Sequence, residues 1–315
     1  MKKRAIEDDF FAELTVGSLK PLLDYVQNDN TLELELRKEA VNIYYRGGSL
    51  FKIYKSKGGY KIFFNFKYCQ GKELPEEPTD PQTAVKNIPF YKQAMDRYFR
   101  CRPKYEREFQ QLIVRENNNM GDISRGTDYY IIDIEYANKF NDTIETEYDE
   151  LGEDSENKKS SSARFDMVAL KWLSDGASRK NSKELSIALI EVKYGDGALK
   201  NGAGVGKHLQ DFKRFLSDSE GFREFCEDMA KVFSQKCEMG LVDGLQEHQL
   251  KGLSISTKDP EVIFIFANHD PDSSVRDQVV SDMKKENCPF PVLIANSSNM
   301  GYCLYADRMH DSNKE

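Results

Sequence analysis

The spacing of apolar residues changes repeatedly along this chain, and each change predicts a different element. In residues 1–30, Phe10, Phe11, Leu14, Leu19 and the Leu22–Val26 segment supply the apolar positions of helices. From Thr31 the period drops to two. Thr31-Leu-Glu-Leu-Glu-Leu36 alternates strictly, and Ala40–Arg46, Ser49–Lys55 and Tyr60–Lys67 are rich in β-branched and aromatic residues. Gly47-Gly48 and Lys57-Gly58-Gly59 separate these runs, which predicts an antiparallel meander. Pro75, Pro78 and Pro81 among acidic residues predict an exposed connection.

Residues 83–118 read as two helices divided at Cys101-Arg-Pro103, the second with Phe109, Leu112 and Ile113 as its apolar stripe. Asp128–Tyr136 is a strand candidate, and the polar residues 141–162 predict a solvated loop or hairpin tip. Ala163–Trp172 and Leu185–Tyr194 are strand-like. The glycine-rich stretch Gly195–Gly206 lacks the Gly-Lys-Ser/Thr ending of a nucleotide-binding loop, because His208 follows Lys207, and reads as a mobile loop. A helix from about Lys207 carries Leu209, Phe212 and Phe215, and residues 220–250 are expected to continue as helix. Glu261–Ala267 has the unbroken apolar run of a buried strand, and Pro291–Ala295 and Gly301–Ala306 read as late strands. From residue 104 the order is helix, strand, strand, strand, helix, strand, which predicts an α/β arrangement with a mixed sheet.

Charge interrupts two of these strands. Residues i and i+2 of a strand share a face, so Ile187, Leu189, Glu191 and Lys193 line one side of Leu185–Tyr194. That face begins apolar and ends charged. Asp166 lies on the preceding strand. Buried charges are expensive unless they pair or hold a metal. Two carboxylates beside an ammonium are the minimum equipment of a metal-dependent phosphodiesterase. The plainer alternative for Glu191 and Lys193 is a surface ion pair of little energetic value.

An acid near the start of one core strand, followed by acid-x-Lys on the next, resembles the PD-(D/E)XK nuclease superfamily, the restriction-endonuclease-like fold. Asp166 stands for the first acid and Glu191-Val192-Lys193 for the triplet. Phe165 occupies a place where proline is common. The resemblance covers residues 104–306 and implies a glutamate on the helix that opens the core, matched best by Glu106 with Glu108 as alternate. It also implies a glutamine after the triplet, matched by Gln210. By the same resemblance Asp166, Glu191, Glu106 and the Val192 carbonyl would hold Mg²⁺ or Mn²⁺, which takes oxygen ligands and keeps several waters. Lys193 would position a water or neutralise phosphate charge. Gln210 and Lys207 would orient the phosphate or the nucleophilic water. His208, beside the helix start, could contact phosphate, although a lone histidine is more often structural. The implied activity is hydrolysis of phosphodiester bonds in nucleic acid, with DNA the expected substrate. A homodimer is one implied form, since two strand cuts need two sites. A catalytically inactive nucleic-acid-binding or interaction protein on the same fold is the alternative.

Other charged residues have plainer readings. Asp133 and Glu135 share one face of their strand and could extend the acidic cluster, but the preferred reading is that they meet solvent or lysines, with Ile132 and Ile134 forming the apolar face. Aromatic residues between positions 44 and 66 interleave with Arg46, Lys52, Lys55, Lys61 and Lys67. Such interleaving can grip single strands, but a half-buried sheet with one charged face is preferred.

Composition agrees with this picture. Of 315 residues, 31% are charged and 39% apolar, as in a soluble globular protein with a large core. The net charge of −8 argues against a protein that coats nucleic acid nonspecifically but leaves room for an enzyme acting on it. No apolar run is long enough to span a membrane, and no apolar stretch follows the basic Met1-Lys-Lys-Arg4. The six scattered cysteines form no Cys-x-x-Cys pair, consistent with a reduced, cytoplasmic protein. The expected architecture is an N-terminal α+β accessory region over residues 1–82 containing the meander. Residues 83–315 are then a restriction-endonuclease-like α/β domain, a mixed β-sheet core flanked by helices.

Overall fold

The computed structural model describes residues 3–72, 74–139, 162–199 and 204–313. The chain opens with α1 (Asp8–Thr15) and α2 (Lys20–Gln27), then β1 (Leu32–Leu36), β2 (Ala40–Tyr45), β3 (Gly48–Ser56) and β4 (Gly59–Phe63). The four strands pair antiparallel in chain order, as the meander pattern predicts. The β2–β3 turn is Arg46-Gly47, both at positive φ as a two-residue hairpin requires. Gly48 instead opens β3. A side chain there would meet Phe99, because the next helix lies directly against it.

That helix is α3 (Pro81–Cys101), started by the Asp80 side chain, which accepts from the Thr83 amide, and by Pro81 at its first position. The expected boundary at residues 82/83 falls at its start, yet α3 packs back on the four-stranded sheet through Tyr91, Met95 and Phe99. Next come α4 (Tyr105–Asn118) and α5 (Asp122–Arg125), then β5 (Tyr129–Lys139), β6 (Ser162–Lys171) and β7 (Ser186–Tyr194). The remainder holds α6 (Val205–Ser217), α7 (Ser219–Glu238), α8 (Glu247–Leu250), β8 (Glu261–Ala267), α9 (Val275–Lys284), β9 (Val292–Asn296), α10 (Ser297–Met300) and β10 (His310–Asp311). The second sheet runs β10-β9-β8-β7-β6-β5. It is parallel across β7, β8 and β9 and antiparallel elsewhere. The fold is therefore mixed α/β, with α6 and α7 on one face of this sheet and α4 on the other. No described helix is long and apolar enough to cross a membrane.

Some expectations need correction. Helix does not continue through residues 220–250: α7 ends at Glu238, and Gly240 and Gly244 at positive φ turn the chain before α8. Gly301–Ala306 is not a strand; the last strand is β10. The loop expected at residues 141–162 lies outside the described residues, apart from Ser162 at the start of β6, and so does the middle of Gly195–Gly206.

The acids of β1 and β5 depart furthest from the alternating pattern. All five residues of β1 are buried, Glu33 and Glu35 included. Their partner is the buried Lys236 of α7, 2.8 Å from Glu35 and 3.5 Å from Glu33. Asp133 is also buried, accepts a hydrogen bond from Arg37 and faces the Arg4 guanidinium at 3.0 Å as an ion pair, so it meets arginines rather than solvent or lysines. An irregularity after Ile131 sends Ile132 and Ile134 into cores on opposite sides of the sheet, so they do not form one apolar face. This layer of charge joins the two sheets.

Candidate functional site

The site forms where β6 and β7 part. Their ladder runs from Lys171↔Ser186 to Met167↔Ile190. Beyond it, the Val192 amide donates to Asp166 Oδ2 at 2.7 Å. Two residues on, at the same edge of β7, the Tyr194 amide donates to Glu106 Oε2 of α4 at 3.4 Å. Acids from two elements thus replace the missing strand. Backbone groups alternate between the two edges of a strand. The Lys193 carbonyl faces β8, where His269 Nε2 lies 3.1 Å away, so the Val192 carbonyl faces the two acids.

The side chains of β7 divide as their alternation predicts. Ile187 and Leu189 enter the core beneath α6 and α7, and Glu191 and Lys193 continue that face, only 3% and 5% exposed. The Lys193 ammonium donates to Glu191 Oε1 at 2.7 Å, and His208 Nε2 of α6 stands 3.0 Å from the same oxygen. No bond among the described residues engages Glu191 Oε2. Phe165 stacks between Tyr136 and Phe212, which anchors β6 one residue before Asp166.

These acids crowd one another. Burial holds the Asp166 carboxyl well above the ordinary range, and Glu191, Glu106 and Glu135 raise it further. Burial pushes Glu191 up to about 7, opposed by Lys193. Glu106 is raised by burial, again against Lys193. Glu135, at positive φ in β5, bonds Arg107 at 3.1 Å beside Glu106.

Asp166, Glu191, Lys193, Glu106 and the Val192 backbone therefore come together, with His208 beside them. Glu108 goes elsewhere, to Arg46 at 2.8 Å. Lys207 and Gln210 are exposed on α6 and make no hydrogen bond or ion pair to this group among the described residues. Arg107 and His269 were not assigned to the site from sequence. Glu135, expected with Asp133 to meet solvent or lysines rather than to extend the acidic cluster, is the one of that pair found here. The Glu-Arg-Glu run hints at Arg107, but nothing in the chain marks the irregular turn of β5 that aims Glu135.

Among the described residues no three His, Cys, Asp or Glu side chains are gathered into a ready-made metal cage. The donor chemistry still fits a hard divalent ion such as Mg²⁺ or Mn²⁺. Such an ion needs only one or two carboxylates and keeps its waters. Here carboxylates flank a carbonyl at a strand edge and are short of positive charge. Searches against family models, curated proteins and solved structures returned no match.

Proposed function

We propose that the chain is a divalent-metal-dependent nuclease that hydrolyses phosphodiester bonds in nucleic acid, with DNA the favoured substrate, on a restriction-endonuclease-like domain. The observation that carries this reading is the meeting of Asp166, Glu106 and the Glu191–Lys193 pair at the parting of β6 and β7.

In this reading Asp166, Glu191 and the Val192 carbonyl would hold the ion, with Glu106 in support. When bound, such an ion would supply polarisation of the phosphoryl oxygen and a more acidic water. Lys193 neutralises charge that grows on the phosphate oxygens, from a position fixed by its bond to Glu191. His208, 3.0 Å from the same Glu191 oxygen, would help fix the orientation of that carboxylate. Arg107 and Glu135 brace the start of α4 so that Glu106 reaches β7.

The test is cleavage of plasmid, single-stranded DNA and RNA in Mg²⁺ or Mn²⁺, with Asp166→Asn and Lys193→Ala in parallel. Loss of cleavage in both variants supports the reading. Cleavage that survives Lys193→Ala places the activity outside this site. Nucleic acid bound but never cut favours the non-catalytic alternative.

A further inference from the structure

A cleft of about 560 Å³ opens beside the site, and it is large enough for one nucleobase and its sugar. It lies at the carboxyl ends of the parallel strands β7, β8 and β9, where sheets of this kind leave a crevice between their connections. Two of its lining residues belong to the neighbourhood of the acids. The Tyr194 amide donates to Glu106 at 3.4 Å, and His269 reaches the Lys193 carbonyl at 3.1 Å.

The wall has two kinds of surface. Tyr194, Phe109 and Tyr302 form a run of rings with centroids 5.9 and 5.3 Å apart. Tyr105 extends it by stacking on Tyr194 at 5.8 Å, with the planes 19° apart. Tyr302 is 36% exposed and Tyr105 58%, so ring faces remain open. The lining also carries hydrogen-bonding groups, among them the exposed Asn268 and Ser298. Charge decides which part of a nucleotide enters. Arg276 is countered by Asp277 at 3.0 Å, and Asp270 adds a second acid. A phosphate would be repelled there, whereas a neutral aromatic ring with donors and acceptors on its edge would not.

Resting on the nuclease reading above, we propose that this cleft receives one unpaired base next to the scissile phosphate, so that the substrate is single-stranded or locally opened nucleic acid. A base inside a duplex has both faces covered and cannot enter such a slot without leaving its stack. The phosphate then lies at the edge of β7 beside Glu106, and the base stacks against Tyr302 and its neighbours.

The test is 2-aminopurine fluorescence with the full chain in EDTA, where metal-dependent cleavage is silent. Short DNA and RNA oligonucleotides carry one 2-aminopurine, either unpaired in a single strand or paired in a duplex. Binding should quench the unpaired probe in at least one of the two series, and the paired probe should bind more weakly. Tyr302→Ala should weaken binding roughly tenfold, while Tyr302→Phe stays close to wild type. Ser298→Leu, which narrows the cleft without removing a ring, should weaken it too. Absence of quenching in both series, equal binding of the duplex, or wild-type affinity in both Tyr302→Ala and Ser298→Leu overturns the proposal. The two readings fail separately. Quenching that needs Tyr302, without any Mg²⁺-dependent cleavage, keeps the base site and removes the nuclease. Cleavage that needs Asp166, with quenching indifferent to both cleft variants, does the reverse.

Discussion

Replacing Lys236 with methionine isolates the layer of charge that joins the two sheets. Lys236 is fully buried, and its ammonium meets Glu35 at 2.8 Å and Glu33 at 3.5 Å. Methionine is close to it in length and volume, so the change is essentially a deletion of charge. Glu35 is then left with Arg37, 3.8 Å away and already bonded to Asp133. Removing one partner of a buried ion pair costs about 3–5 kcal/mol. The loss depends on pH, and Glu35 sets the sign. Burial pushes its carboxyl from 4.5 up to about 8, against the pull of Lys236, and Glu33 is raised for the same reason. An acid raised in this way binds its proton more tightly folded than unfolded. Its contribution to stability is complete below the unfolded value of 4.5 and is lost as pH climbs through about 8. Without Lys236 both carboxyls rise further. The expected loss is therefore about 3–5 kcal/mol near pH 8.5, and only about 1–2 kcal/mol near pH 5, where the acids take up protons. Guanidinium denaturation at both pH values measures it. Glu35→Gln in the Lys236→Met background should recover about 1–2 kcal/mol at the higher pH. Equal losses at the two pH values, or a loss under about 1 kcal/mol near pH 8.5, refutes this account of the layer.

Three further outcomes are expected. Asp166→Asn keeps an acceptor for the Val192 amide but removes one of the crowded carboxylates, so in EDTA near pH 8 the melting temperature should rise by about 2–4 °C, and the further rise produced by Mg²⁺ in wild type should vanish. Lys193→Met should lower kcat on the cleaved substrate by about 10²-fold or more, and His208→Ala by less, because histidine acts through Glu191. Phe165→Ala should destabilise by about 3–5 kcal/mol in denaturant titration, since it empties the space between Tyr136 and Phe212; a loss under about 1 kcal/mol would show that α6 collapses onto β6.

Local order was legible in the sequence wherever one periodicity ruled one element. The Leu-Glu alternation of β1, the apolar run of β8 and the stripe of Leu209, Phe212 and Phe215 each led to an element of the expected type. The acid-x-Lys triplet placed Glu191 and Lys193 on one face because strand alternation is geometrically strict. What was not legible depends on contacts distant in sequence. Alternation cannot tell that the polar face of β1 is covered by α7, since Lys236 lies two hundred residues away. It cannot reveal the irregularity that turns Glu135 toward Arg107. Helical spacing placed Lys207, His208 and Gln210 on one segment, but only the packing of Leu209 and Phe212 decides which of them faces β7, and it selects His208.

The two groups of partly hidden charge differ in balance, and the difference bears on function. In the layer between the sheets, Arg4, Arg37 and Lys236 oppose Glu33, Glu35 and Asp133, three against three. Asp228 beside them accepts from the Arg4 and Ala5 amides and adds a fourth acid. Each acid of this layer has a cation or an amide partner within it. At the edge of β7, Glu106, Asp166, Glu191 and Glu135 face Lys193 and Arg107 as fixed cations. Lys104, near Glu135, is weakened as a third because burial and Arg107 bring its ammonium down to about 8. Folding gains nothing from crowding carboxylates at a strand end, since two strands could have continued their ladder there. The two groups are also connected: Arg4 donates to the Glu135 carbonyl at 3.1 Å, and Glu135 in turn holds Arg107 beside Glu106. The N-terminal region is thus part of the scaffold that keeps a charge-deficient edge in place. A divalent cation is the species whose charge and oxygen preference would complete that edge.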